Sequence, residues 1–213
     1  MKYYSQYQQD EIIFERFFKS QTKGFFLDIG AMDGIHCSNS KFFEDLGWDG
    51  LLIEPNPSQI PILKTNRDWE IIQKAVVSNS ELSFETKFQP FPTGAWGQGL
   101  AGIPSKYHPN HIERILFEEH QGLIKNIPEW IDVETVTVKE LFSLCPSNID
   151  ILSLDIEGNE LEILKSINFE NYTIKVITVE NNYYGNEIQD FMISKNFNLF
   201  CTTGCDEIYF NKG

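Results

Sequence analysis

Four short stretches hold the side chains whose types and spacing could do chemistry. The first is Asp28-Ile29-Gly30-Ala31-Met32-Asp33-Gly34, where glycines let the backbone turn sharply and approach a ligand with no Cβ in the way. The second is Glu54-Pro55-Asn56, about 26 residues after Asp28, and a carboxylate there can accept both hydroxyls of a ribose. Asp155-Ile156-Glu157-Gly158 and Glu180-Asn181-Asn182 complete the set, offering carboxylates and an amide that could take up a proton or hold a cation. Taken singly, Asp28 could cap a helix and Glu54 could be a solvated loop carboxylate. Together, at the ends of apolar runs, they favour a nucleoside ligand.

Those runs are the elements that must position the chemistry. GFFLDIG (24–30), GLLIE (50–54), WEIIQKAVVS (69–78), IDILSLD (149–155) and IKVITVE (174–180) read as buried strands from their length and flanks. Between and before them, QDEIIFERFFK (9–19), NSKFFEDL (39–46), NELEILKSI (159–167) and NEIQDFMISKN (186–196) carry apolar residues at helical spacing. VTVKELFSLC (136–145) precedes the fourth strand, and a polar stretch with Gln59, Lys64 and Asn66 precedes the third. FNLFCTT (197–203) and DEIYFN (206–211) form a hairpin around Gly204.

This alternation implies an α/β fold with a mainly parallel sheet covered on both faces and an antiparallel pair at its end. In such sheets ligands sit outside the carboxyl ends of the strands, near the switch in strand order. Residues 84–135 break the rhythm with five prolines, the run TGAWGQGLAG and three of the four histidines. We read this stretch as a lid or substrate-binding elaboration of one domain spanning 1–213, whose deletion should spare cofactor affinity and abolish turnover.

Length and composition bound the function. At 213 residues, 41% hydrophobic and 23% charged, the chain can bury a sizeable core. A formal charge of −14 disfavours nucleic acid as a partner. No apolar run is long enough to span a bilayer, and Asp10 and Glu11 stand where a signal peptide would be apolar, so a cytoplasmic location is expected. The four cysteines are too few and scattered for a disulfide framework.

Charge also selects the nucleoside. A pyrophosphate would be repelled by Asp28 and Asp33, whereas S-adenosylmethionine carries a sulfonium and an ammonium. Each close pair at about 4 Å is worth on the order of 4 kcal/mol at an effective dielectric of 20, before desolvation.

GFFLDIGAMDG, SNSKFFEDLGWDGLLIEPNP, IDILSLDIEGNELEILKSI and IKVITVENN resemble, in order and spacing, the FkbM family of S-adenosylmethionine-dependent methyltransferases, as does the opening SQYQQDEIIF. The resemblance is weakest over 84–135. It implies the class I methyltransferase fold, a Rossmann-like seven-stranded sheet with an antiparallel terminal hairpin. By position it places Asp28, Gly30 and Ala31 at the methionine part of the cofactor, Glu54 at its ribose, and Pro55, Ala75 and Val76 at its adenine. Gln6 and Asp10 are expected to reach the same pocket. The family methylates hydroxyls of natural products and carbohydrates, so a small-molecule or glycan acceptor is implied.

For proton removal the candidates are Asp155, Glu157 and His36. Asp155, Glu180 and Asn181 resemble the oxygen ligands by which catechol O-methyltransferase holds magnesium, so Mg2+ or another divalent cation is a further candidate; alternatively, Glu180 and Asn181 cap the next segment or meet substrate without metal. His108, His111 and His120 are expected at the surface or in the lid, and Trp96 and Trp130 either stack on a sugar or pack ordinarily. Two rivals are a binding module without turnover and a nicotinamide oxidoreductase. The latter lacks both the G-x-G-x-x-G turn and a tyrosine followed four residues later by lysine.

Overall fold

In the computed structural model, which describes residues 1–81, 84–91 and 99–212, the short apolar runs pair laterally into one sheet. Its strands are β1 (Phe25–Ile29), β2 (Asp49–Ile53), β3 (Glu70–Ile72), β7 (Asn148–Leu154), β8 (Thr173–Glu180), β9 (Phe197–Thr203) and β10 (Asp206–Asn211). They lie in the order β3-β2-β1-β7-β8-β10-β9. The first five in that order run parallel, and β10 is antiparallel to both its neighbours, as the tight hairpin requires. Strand order reverses between β1 and β7, which opens a crevice at their carboxyl ends.

Period-two alternation assigns each strand residue to a face. Phe26, Leu52, Ile151, Val176 and Ile208 pack with Phe14, Phe18, Phe42, Phe43 and Trp48 on one side of the sheet. That side carries α1 (Gln9–Ile13) with its π-helical continuation Phe14–Phe18, α2 (Lys41–Asp45) and α3 (Ile60–Asn66). Leu27, Ile29, Leu152, Leu154, Ile177 and Val179 pack on the other side with Phe142, Leu164, Ile188 and Met192. Those partners come from α5 (Val138–Phe142), α6 (Glu160–Ser166) and α7 (Glu187–Ser194). Burying each such side chain is worth about 1.5–3 kcal/mol, which fixes the register that aims the strand ends.

Three elements depart from the pattern read in the sequence. The run 69–78 is two strands, because the Lys74 amide donates to the Ile72 carbonyl at 3.0 Å and turns the chain out of the main sheet. Its second half, β4 (Ala75–Val77), pairs with β6 (Ile131–Thr137), which in turn pairs with β5 (Glu85–Phe88). The polar stretch after Pro57 contains α3, whose Pro61 sits in the first turn where no amide is lost. Thr137 ends β6 and starts α5 through a reciprocal capping box with Glu140.

Within 84–135 lie β5, a 3-10 turn at Pro104–Lys106, α4 (Pro109–His120) and most of β6. All four cysteines are free thiols, and no helix among the described residues is long and apolar enough to cross a membrane.

Candidate active site

The turn after β1 is pinned to its neighbours by backbone alone. Gly30 and Ala31 both donate to the Ile53 carbonyl at 3.0 Å, and the Asp155 amide donates to the Ile29 carbonyl at 3.0 Å. Gly30 has φ +95°, and a Cβ there would stand 1.7 Å from the Asp155 carbonyl oxygen, so only glycine lets the β1 and β7 ends meet. Beyond β2, Glu54 is clamped in one orientation. Its two oxygens accept from the Met32 amide at 2.8 Å and the Asn56 amide at 2.7 Å. Burial nevertheless pushes its pKa up to about 7.

Asp28 shares the Phe26 face of β1 and meets a buried polar network there. Ser40 donates to its carboxylate, and the Arg67 guanidinium stands 3.9 Å away. Arg67 is fully buried, pairs with Glu44 at 2.5 Å and donates to the Gly34 carbonyl at 3.1 Å. Burial raises the Asp28 pKa, and Arg67 and Ser40 pull it back. Asp28 is therefore a partly neutralised group in the cleft floor and not a free attractor of cations.

A cleft of about 650 Å³ opens above these residues, lined by Asp28, Gly30, Ala31, Glu54, Asp155 and Glu157 among others. It adjoins a narrow apolar recess between Pro55, Ala75, Val76, Phe88 and Ile103. That is the size of a small-molecule site, with an apolar end for a flat base and a polar end for charged groups.

At the polar end, Asp155, Glu157 and Glu180 come together, each offering an oxygen within 4.8 Å of the others. Burial first, then neighbouring carboxylates, Asp206 and Glu160 for Asp155 and Asp155 itself for Glu157 and Glu180, hold all three well above the usual carboxylate range. Asp155 presents its side chain to the open cleft while protein surrounds the rest of it, so its surface exposure and its crowding are both real. Glu160 shapes the loop beneath by accepting from the Ile156 amide at 3.1 Å and the Gly158 amide at 3.0 Å.

The opposite wall comes from 84–135. His111 is fully buried in α4. Its Nε2–H donates to the Leu100 carbonyl at 3.2 Å, so in the neutral ring Nδ1 accepts from the Tyr183 hydroxyl at 3.2 Å. Burial lowers its pKa, which favours the neutral ring. One turn along, Arg114 pairs with Glu118 at 3.0 Å and stands 4.0 Å from Glu157.

Of the residues singled out in the sequence, Gln6, Asp28, Gly30, Ala31, His36, Glu54, Pro55, Asp155, Glu157 and Glu180 line the cleft, and Ala75 and Val76 line the recess. Asp10 and Asn181 are not brought there. The Asp10 carboxylate is buried beneath the opening segment, accepting from the Tyr4 amide at 2.6 Å and the Glu11 amide at 2.9 Å. The Asn181 amide donates to the Gly185 carbonyl at 2.8 Å and Glu207 at 2.9 Å, and its oxygen accepts from the Tyr184 amide at 3.0 Å. Asp33 caps the turn to Ile35 and His36. Trp96 lies outside the described residues, and Trp130 is 58% exposed, so it is not core packing. Because Phe88, Gly102 and Ile103 form one wall of the recess, the 84–135 segment cannot be removed without opening the expected adenine site.

Sequence reasoning missed Arg114 and Tyr183; of its surface or lid reading of His111, the structure excludes the surface, because the side chain is fully buried. It also missed Asn39 and Gln59, whose buried side-chain oxygens lack hydrogen-bond partners and which line the cleft. Asn39, inside the quoted SNS run just after the glycine turn, had a usable signal; the others are defined by long-range contacts.

A seven-stranded sheet in this order, with its antiparallel edge hairpin and an acidic crevice at the switch point, defines a methyltransferase of the Rossmann-like class I fold. A family model of the methyltransferase FkbM domain matches residues 28–199, and the chain belongs to the FkbM methyltransferase family. No curated protein matches the sequence. Among solved structures, the Methanococcus jannaschii fibrillarin pre-rRNA processing protein is similar with a TM-score of 0.44 and 12% identity, over 90% of this chain and 68% of that one. The strand order, and not that overlay, carries the fold.

Proposed function

We propose that the protein transfers the methyl group of S-adenosylmethionine to a hydroxyl of a carbohydrate or other small natural product. The observation that carries this is the graded lining of a single cleft. An apolar recess fits adenine, clamped Glu54 fits the ribose diol, and the carboxylates at the far end fit an acceptor hydroxyl brought up to the sulfonium methyl.

In the reaction the acceptor oxygen attacks the methyl carbon in line with the carbon–sulfur bond. That bond breaks, sulfur keeps the electron pair and leaves as a neutral thioether, and the hydroxyl proton passes to a base. Asp155, which faces the cleft, and Glu157 behind it are the candidate bases, since their raised affinity for protons suits that task. His36 lines the same cleft and could serve from its other side. The 84–135 segment would close over the acceptor and help to exclude water.

Calorimetric titration with S-adenosylmethionine, S-adenosylhomocysteine and NADH, followed by incubation with labelled methyl donor and a glycan panel, tests the reading. Saturable binding of the first two and a base-stable methyl ether on a glycan are expected. Binding without transfer to any acceptor would indicate a non-catalytic module, and saturation by NADH alone would point to a nicotinamide enzyme.

A further inference from the structure

We infer that Asp155, Glu157 and Glu180 form a binding site for an oxygen-preferring divalent cation of the Mg2+, Mn2+ or Ca2+ kind, with Glu157 and not Asn181 as the third protein ligand. One oxygen from each carboxylate lies within 4.8 Å of the other two. Three oxygens spread evenly around one ion stand about 3.6 Å apart for Mg2+ and about 4.3 Å for Ca2+, so the cluster lies near the spacing for the larger ion and closes by at most about 1 Å on the smaller. Three carboxylates with room for water are the donor set such ions take, and soft or imidazole-preferring metals do not.

Glu157 supplies the second, separate reason. It is 7% exposed, and its buried Oε2 has no hydrogen-bond partner among the described residues. A buried carboxylate oxygen without a hydrogen bond is costly, and no described residue stands close enough to supply one. The Arg114 guanidinium stands 4.0 Å away and is already paired with Glu118. His111 Nδ1, 3.6 Å away, is the acceptor of the Tyr183 hydroxyl and brings no charge. Asn181, by contrast, has its whole amide engaged elsewhere.

The catalytic meaning of the site rests on the methyl-transfer reading above: a bound cation would acidify and orient an acceptor hydroxyl. Its existence is tested without turnover. Wild-type protein treated with EDTA is titrated with MnCl2, MgCl2 and CaCl2 in the absence of methyl donor, and Mn2+ binding is read in parallel by electron paramagnetic resonance. One ion per chain is expected. Glu157→Gln and Glu180→Gln should each weaken it about tenfold or more, while circular dichroism shows an intact fold.

Absence of uptake of all three ions by the wild type overturns the site, as does a Glu157→Gln protein that binds Mn2+ like the wild type. Binding of an ammonium compound such as glucosamine that Glu157→Gln abolishes and that none of the three ions competes with would also overturn it, assigning the cluster to a cationic acceptor. A protein that binds S-adenosylmethionine and transfers methyl in EDTA while taking up no ion refutes the site and leaves the reaction standing. One that takes up an ion through Glu157 and never binds the methyl donor refutes the reaction and supports the site.

Discussion

The two ends of the cleft are held by different kinds of contact. On the β1–β2 side, Glu54 is fixed by two backbone amides and Asp28 sits over a buried arginine and serine, so each carboxylate already has its partners. On the β7–β8 side, Asp155, Glu157 and Glu180 crowd together, and a Glu157 oxygen has no hydrogen-bond partner among the described residues. The first end is preorganised by the fold. The second is built to be completed by whatever binds, and the 84–135 segment with its His111, Arg114 and Glu118 forms the wall around it.

If the ends are functionally distinct, a substitution at one should leave the other intact. The largest effect is expected for Asp155→Asn. Removing a base or an ion ligand should lower kcat by about 10²–10⁴-fold, while the affinity for S-adenosylmethionine measured by calorimetry changes little. An equal loss of donor affinity would break the division.

Arg67→Met probes the preorganised floor. It leaves Asp28 buried without its cation and Glu44 with Lys41 alone, which should cost about 3–5 kcal/mol in a urea denaturation experiment. Asp155→Asn, relieving repulsion in the crowded cluster, should by contrast leave stability equal or higher. If both variants were equally destabilised, the contrast between a satisfied and an unsatisfied end would be lost.

How much of this was legible in the sequence follows the same line. Short apolar runs ending in Asp28, Glu54, Asp155 and Glu180 revealed β1, β2, β7 and β8 and placed those carboxylates at one edge, because strand ends in a parallel sheet have nowhere else to go. The split at Gln73-Lys74 was invisible, since an apolar run does not say which sheet it joins. Pro57 and Pro61 hid α3, although Pro61 suits a first helical turn. Asp10 and Asn181 lie where the resemblance puts them along the chain, but hydrogen bonds to nearby backbone turn their side chains away. His111 could not be assigned either, because its partners Leu100 and Tyr183 are 11 and 72 residues distant.

Glu54→Gln sharpens the account of the donor end through pH. The folded-state pKa of Glu54 is raised to about 7 from an ordinary 4.5, so its contribution to stability is fully present below pH 4.5 and is lost as pH rises through 7. Apo protein should therefore lose on the order of 3 kcal/mol from this group across that window. In Glu54→Gln the slope of melting temperature against pH should flatten over the same range. The glutamine Nε2 cannot accept from an amide, so the whole curve also shifts down by about 1–3 kcal/mol. Donor affinity should fall in parallel, and an unchanged slope would place the titration elsewhere.

The smallest expected effect concerns the wall facing the acceptor. Tyr183 donates its hydroxyl proton to His111 Nδ1, and its ring stacks on His108 with centroids 5.0 Å apart. Tyr183→Phe keeps the ring contact and removes only the donor. Because the His111 Nε2–H still holds the Leu100 carbonyl, the loss should be that of one neutral hydrogen bond, about 0.5–1.5 kcal/mol in stability. The informative readout is kinetic. His111 lies beside Glu157 at the acceptor end, so loosening it should raise the acceptor KM while donor affinity stays at the wild-type value. Leu100 is also only two residues before Gly102, which lines the apolar recess, so slack there could travel the other way. A rise in the dissociation constant for S-adenosylmethionine with an unchanged acceptor KM would show that the 84–135 wall serves the donor end first, because it is the recess, and not the carboxylate cluster, that His111 then holds in shape.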